Sequence, residues 1–365
     1  MLQGLYMRLL TVIIGLCLLL TGCERMPLAV RQMDNYLDRL GRVLEQQHAH
    51  YDVTQLSRYR LPERRDRLLD IAPMRISLIE LLVDTQPCKP MQQRVSERNS
   101  ILGKVMPWSH RLAFEGELIR AIEDCITTLK DDPDRDELIV ELNQLVTEKR
   151  AQLHGVFWNA INASEEFEYY LRFANEPLPV QDQPLEDRLG AQALQQLAMV
   201  GQSMPAQLPP SRPDLDAHFL ALYQSDRSSQ LIHSLSRLTH TLQQATTMLG
   251  DPSVAKLCPM GQPTSQSRIL LNVFVLFYAG EIQPQMAQVQ RLGRPWAEGV
   301  MQLSSVPEIP SATADYLAVL AAGESSLWTH YQRQITAHSE AWQRVLGNCG
   351  MRPGQTGWQG PAPDA

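Results

Sequence analysis

Glu97, Arg98, Asn99 and Ser100 set four hydrogen-bonding side chains in succession, with apolar Ile101 and Leu102 directly after them. Arg98 and Asn99 have the chemistry to hold a carboxylate or a sugar. Consecutive helical residues point in different directions, however, so the four cannot all face one ligand. The same groups can instead tie two helices together, with Arg98 reaching Glu115 in a satisfied polar network. Glu97, Arg98, Asn99, Ser100 and Glu115 therefore form a candidate polar site, with the structural reading ahead of the binding one. A second candidate is Glu165 with Glu166, near Trp158 and Tyr169. A carboxylate pair beside aromatics is what glycoside cleavage uses. Adjacent glutamates on a helix diverge by about 100°, which reads better as acidic residues in a first helical turn capped by Ser164.

The nine histidines are scattered. Glu45 and His48 have the Glu-x-x-His spacing of a carboxylate-bridged di-iron site, but such a site needs a second copy and the chain has none. His233 and His240 share a helix face without a carboxylate at ligand spacing. The chain contains no H-E-x-x-H, no G-x-S-x-G, no P-loop and no G-x-G-x-x-G. The sequence thus names no catalytic residue, no cofactor and no metal. It leans away from an enzyme without excluding one.

The clearest chemistry is at the start of the chain. Arg8 is followed by twelve apolar or near-apolar residues, Leu9 to Leu20, and then by Thr21, Gly22 and Cys23. The run is short of the ~20 residues that a spanning helix needs and suits a secretory leader. Small residues directly before a cysteine resemble a lipobox. Residues 1–22 then read as a lipoprotein signal, Cys23 as the lipidation site, and residues 23–28 as a short tether. Glu24, in place of the aspartate that retains such proteins in the inner membrane, leans toward the outer membrane, facing the periplasm. Removing Arg8 with the leader takes the net charge from -7 to -8, which argues against nucleic acid as a partner. The expected partners are the membrane, through the anchor, and an envelope protein, lipid or cell-wall component.

Four cysteines remain beyond the leader and Cys23: Cys88, Cys125, Cys258 and Cys349. An even number in an exported chain reads as two disulfides. Three pairings are available. Cys88–Cys125 with Cys258–Cys349 is the expected one, because each bond then joins the two ends of a helical unit. No C-x-x-C pair supports a zinc site.

The elements that would position these residues are helices. Val30, Met33, Leu37, Leu40 and Leu44 recur at helical spacing, as do Leu112, Ile119, Ile122, Ile126 and Leu129. Leu231, Leu235, Leu238, Leu242, Ala245 and Leu249 step by fours and threes, the pattern of a helix packed on a neighbour. A helix is expected over 91–105, another from Asp134 to Ile161, and a last long one over 312–346. Ile76 to Val83 reads as a buried helix. Ile269 to Ala279 is the most apolar stretch beyond the leader and reads as a central buried helix that Pro284 kinks or ends. Arg58, Arg60, Arg64, Arg65 and Arg67 cluster near the anchor; they read as a solvated face, or as a contact for anionic lipid. The expected class is all-α, a multi-helix bundle in two halves, 29–175 and 214–350. Pro-rich 176–213 lies between them, and a Gly/Pro-rich tail covers 351–365.

The run Glu97 to Met106, ERNSILGKVM, followed by Ser109, Arg111, Leu112 and Glu115, resembles the signature of a family of bacterial lipoproteins known as domain of unknown function 3080. Leu61-Pro62 with Arg64 and Arg65, the flanking Cys88 and Cys125, Trp158 before Ser164-Glu165-Glu166, and Ile282-Gln283-Pro284 agree with it. The resemblance implies an exported, lipid-anchored protein of Gram-negative bacteria and brings no catalytic residues. The sequence therefore leads to a non-catalytic scaffold or binding protein of the envelope. The alternatives are a lipid or small-molecule binder, with a cavity between Ile269–Tyr278 and the 97–100 block, and a peptidoglycan-acting hydrolase using Glu165 or Glu166.

Overall fold

The structure is a computed structural model and describes residues 26–72, 85–181 and 188–354. The leader, Cys23, the Ile76–Val83 segment and most of the tail lie outside these residues. The described residues form helices and connecting segments, with no strand among them.

Helix α1 (Leu28–Leu44) buries the expected stripe and ends where Glu45 adopts a left-handed backbone. A connecting stretch with one 3-10 helical segment, Val53–Tyr59, then leads to a single helical turn, Arg64–Arg67. α2 (Lys89–Asn99), α3 (Trp108–Leu129) and α4 (Asp136–Ala151) follow. Next come α5 (Leu153–Ala163) and α6 (Glu165–Leu171). α7 (Arg188–Ser203) and α8 (Arg212–Gln224) lead to α9 (Arg227–Leu249). α10 (Ser265–Asn272) runs through a π-helical segment, Val273–Ile282, into α11 (Gln283–Ser304). α12 (Ser311–Leu317) and α13 (Leu327–Asn348) complete the order.

The main core is built around α9, which packs against α1 and α13, while α7 packs against α11. It takes side chains from Ala29 through Met351, on both sides of residues 176–213. The cores divide elsewhere. A smaller core gathers Cys88, Met91, Phe114, Ile122, Cys125 and Leu142, between α2, α3 and α4. α3 serves both cores: Leu112 and Ile119 face the large one, Phe114 and Leu118 the small one. Each core carries one of the expected disulfides, Cys88–Cys125 in the small and Cys258–Cys349 in the large.

Several expected helices are interrupted, each for a local reason. The helix over 91–105 breaks at Ser100. Its side chain accepts from Gly103 N and starts a separate turn, Ile101–Lys104. The long helix from Asp134 bends at Gln152. The last helix breaks at Gly323, and Ser326 caps a new start by accepting from Thr329 N. Pro284 does not end its helix. It lacks an N–H, and the backbone before it widens into the π segment instead. The Ile269–Ala279 stretch is only half internal: Val273 and Tyr278 are buried, while Ile269 and Leu276 are exposed.

Tyr278 is buried within an aromatic cluster with Tyr36, Phe274, His338 and Trp342. The Tyr36 hydroxyl lies 2.9 Å from His338 Nε2, and Trp342 Nε1 donates to both at 3.0 and 3.1 Å. With donors converging on Nε2, the ring proton belongs on Nδ1, 3.0 Å from Thr246 Oγ1. Burial pushes the His338 pKa down to about 3, so the ring is neutral.

Candidate functional site

The described surface carries a cleft in two joined basins, of about 640 and 680 Å³. Segment 60–67, α6 and α8 form the first basin. The start of α3, with α5, α6 and α8, forms the second. Arg64, Glu165 and Tyr223 border both.

One wall of the first basin, segment 60–67, is irregular chain that closes in the turn Arg64–Arg67 and is hung on α5 by two asparagines. Asn159 accepts from Leu69 N at 2.8 Å and donates to Leu69 O at 2.9 Å, as a neighbouring strand would. One turn on, Asn162 donates to Arg67 O at 2.8 Å and accepts from Thr313 Oγ1 at 3.0 Å. Arg67 completes the attachment. Its guanidinium donates to Pro62 O, Asn162 O and Glu168 Oε1 at 2.9, 2.8 and 2.5 Å. Arg67 is 1% exposed. The arginine cluster is thus not one solvated face: Arg67 is internal, and Arg64 shares Glu168 with it at 3.2 Å. The two guanidiniums, bonding to Glu168 and outweighing its partial burial, hold its carboxyl below the usual glutamate range.

The cleft is lined by aromatics and by charges of both signs. Tyr169 and Tyr223 stand with ring centroids 5.4 Å apart, and the Arg172 guanidinium lies 4.4 Å over Tyr169. Trp108, with Arg111 over its ring at 4.5 Å, borders the second basin. His110 and Arg212 both contact Asp216 at 3.4 Å.

Glu165 and Glu166 occupy the first turn of α6, where Ser164 caps the helix by accepting from Phe167 N at 3.0 Å. Both glutamates nevertheless border the second basin. Trp158 is not beside them: it is buried and donates to Pro307 O at 2.8 Å.

The 97–100 block does not assemble with Glu115. Arg98 donates to Gly103 O at 2.6 Å, and Asn99 to Val95 O at 2.7 Å. Ser100 donates to Glu97 O at 2.7 Å. These bonds stay inside the helix break. A Cβ on Gly103 would stand 2.2 Å from Glu97 O, so the break needs glycine there. Glu115 is buried and takes Lys149 at 2.7 Å and Arg111 at 3.7 Å. The block is a structural corner, tied to α3 by Arg94, which contacts Glu97 at 2.7 Å and Glu117 at 3.2 Å.

Glu45 and His48 are not on one helix face, because Glu45 leaves α1 and His48 turns to Asp38 at 2.9 Å. Among the described residues no three metal-ligating side chains come together.

Sequence reading missed Asn159, Asn162, Arg172 and Tyr223. The two asparagines left a signal: amides three apart inside the apolar run VFWNAIN. A family model described as protein of unknown function (DUF3080) matches residues 33–353. No curated protein and no solved structure matches the chain.

Proposed function

The chain belongs to the DUF3080 family of proteins of unknown function, and from that premise we propose that it is a lipid-anchored, non-catalytic binding protein of the cell envelope. Its ligand site is the two-basin cleft. One observation carries the binding role: an open cleft that exposes Tyr169, Tyr223 and Arg172 with Glu165 and Glu166, beside the Arg64–Arg67–Glu168 network that holds its wall. Export and anchoring rest on the Leu9–Cys23 pattern and agree with a chain that carries two disulfides. No helix of the described residues is long and apolar enough to cross a membrane, so on this reading attachment falls to lipid on Cys23. The anchoring half is tested by labelling cells with a tagged fatty acid. Wild type takes the label and Cys23→Ala does not; label retained on the variant refutes it. The binding half is tested by crosslinking in cells and recovering the protein with whatever it has bound. Crosslinks that disappear when Tyr169 and Tyr223 are both replaced by alanine support the cleft as the site; unchanged crosslinks count against it.

A hydrolase is the second reading, favoured by Glu165 and Glu166 bordering one aromatic-lined basin. A Glu165→Ala/Glu166→Ala protein that fully replaces the wild type in cells eliminates it.

A further inference from the structure

We propose that the turn joining α2 to α3, residues 100–106, dips into an anionic lipid bilayer through Ile101, Leu102 and Val105, with Lys104 and Arg98 at the headgroups. The contact is separate from the cleft and does not depend on what the cleft binds.

The first support is exposure. Ile101, Leu102 and Val105 are 83, 80 and 71% exposed, the most exposed branched aliphatic side chains among the described residues. A surface apolar residue standing alone needs no account, but these share one short turn. The second support is their direction. An ordinary surface helix turns its apolar side chains inward. Here the inward position belongs to Gly103, which is buried. It lies so close to the end of α2 that a Cβ would clash with the carbonyls of Glu97 and Arg98. Ser100 accepts from Gly103 N and Arg98 donates to Gly103 O. The turn is thus pinned with its aliphatics outward. The third support is charge. From Arg98 to Phe114 the chain carries Arg98, Lys104 and Arg111 and no acid, in a protein of net charge -7. Lys104 is exposed and enters no ion pair among the described residues. Arg98 bonds to a neutral carbonyl, which leaves its charge uncompensated.

The turn is the tip of an antiparallel hairpin. Cys88 is bonded to Cys125 at the far end, and Arg94 reaches Glu117 midway. The acidic run from Asp131 to Glu137 begins beyond that far end of α3, a helix of 22 residues and so about 33 Å long. Glu97 is engaged by Arg94. The second basin bounds the tip where Trp108 lines it with Glu165, Glu166 and Asp216. Carboxylates repel an anionic headgroup, so entry is limited to the turn.

A bilayer suits this tip better than a protein does. Three aliphatic side chains offer on the order of 300 Å² of apolar surface. That is well under the ~800 Å² a side of a standard protein interface. A side chain standing free on most sides calls for a medium that closes round it, which lipid does and a single protein face does not. Aliphatics flanked by cations are the composition of interfacial membrane contacts, and each cation near an anionic surface adds to the attraction.

The test places a polarity-sensitive fluorescent amino acid in the full-length protein in place of Leu102 or, as the comparison, in place of exposed Val140 on α4. Each protein is reconstituted into vesicles of phosphatidylcholine and phosphatidylglycerol in equal parts, with nitroxide-labelled acyl chains as quencher. Whatever holds the N-terminus, the probe reports its own position. At 102 the emission should shift to the blue and be quenched; at 140 it should do neither. Lys104→Gln should weaken insertion about fivefold, the value of one charge at such a surface. Leaving out phosphatidylglycerol should weaken it further. Ile101→Ser/Val105→Ser should weaken it by more than about tenfold, with an unchanged far-ultraviolet dichroism because both side chains are exposed. Equal quenching at 102 and 140, or none at either, overturns the proposal. Quenching at 102 that ignores both Lys104→Gln and phosphatidylglycerol overturns the anionic assignment. If the probe at 102 stays in water on vesicles while a photocrosslinker there captures one envelope protein in cells, the turn docks a protein and the lipid assignment fails.

Discussion

His338 is the residue whose protonation the fold resists most. Its pKa is pushed down to about 3 by burial, against an ordinary value of 6.5. The unfolded chain therefore binds a proton that the folded chain excludes between those two values. The stability from this residue is complete above pH 6.5 and is lost as the pH falls toward about 3. At about 1.4 kcal/mol per pH unit, going from pH 7 to pH 4 removes on the order of 3 kcal/mol. The urea midpoint should fall over that range in wild type and fall less in His338→Gln. An equal loss in the variant would mean that other groups carry the acid sensitivity. The spacing of Leu327, Tyr331, His338 and Trp342 puts His338 on the core face of its helix. It does not place Tyr36 against it, a partner 302 positions away. Arg67 shows the same limit. Five arginines within ten residues look alike in sequence, and only the distant Asn162 and Glu168 decide which is internal.

At the scale of elements, period and punctuation were readable and continuity was not. The stripes on α1 and α9 are buried as their spacing requires, and that on α3 is buried but for the half-buried Ile126. The interruptions at Ser100, Gln152 and Gly323 were missed because apolar periodicity runs on through them, while a cap takes hold over two or three residues. Ser100 illustrates this: its hydroxyl offers Gly103 N a local bond that competes with the helical one. The small core around α2 depends on its disulfide, which closes a separation of 37 residues. Cys88→Ser/Cys125→Ser should lose about 4 kcal/mol. Hydrogen exchange should rise through Lys89–Lys104, with little change in α9 and α13. A uniform rise across all helices would show that the two cores melt as one.

For the whole molecule, composition foretold an all-α chain with two disulfides, and the structure has both. The proline-rich stretch 176–213 looked like a boundary because its composition changes there. Composition cannot report that Leu178, Leu194 and Leu197 return into the main core. The core crosses this stretch, so neither flanking half buries its apolar faces alone. Residues 26–175 and 214–354, made separately, should each lack a cooperative thermal transition. A sharp transition in either would identify it as an independent folding unit. The cleft was unreadable for a related reason. Its walls come from residues near 60, 108, 169 and 223, and none of them carries a motif by itself.

The early start of α1 also limits reach. Among the described residues the first helix begins at Leu28, and it is packed into the core against α9. On the anchored reading, only five residue steps separate the lipid on Cys23 from a rigid element. Fully extended, they cover at most about 18 Å. A protein on so short a leash works against the membrane surface and does not cross the compartment. On that same reading, whatever enters the cleft must come to the bilayer to be met, or be made there.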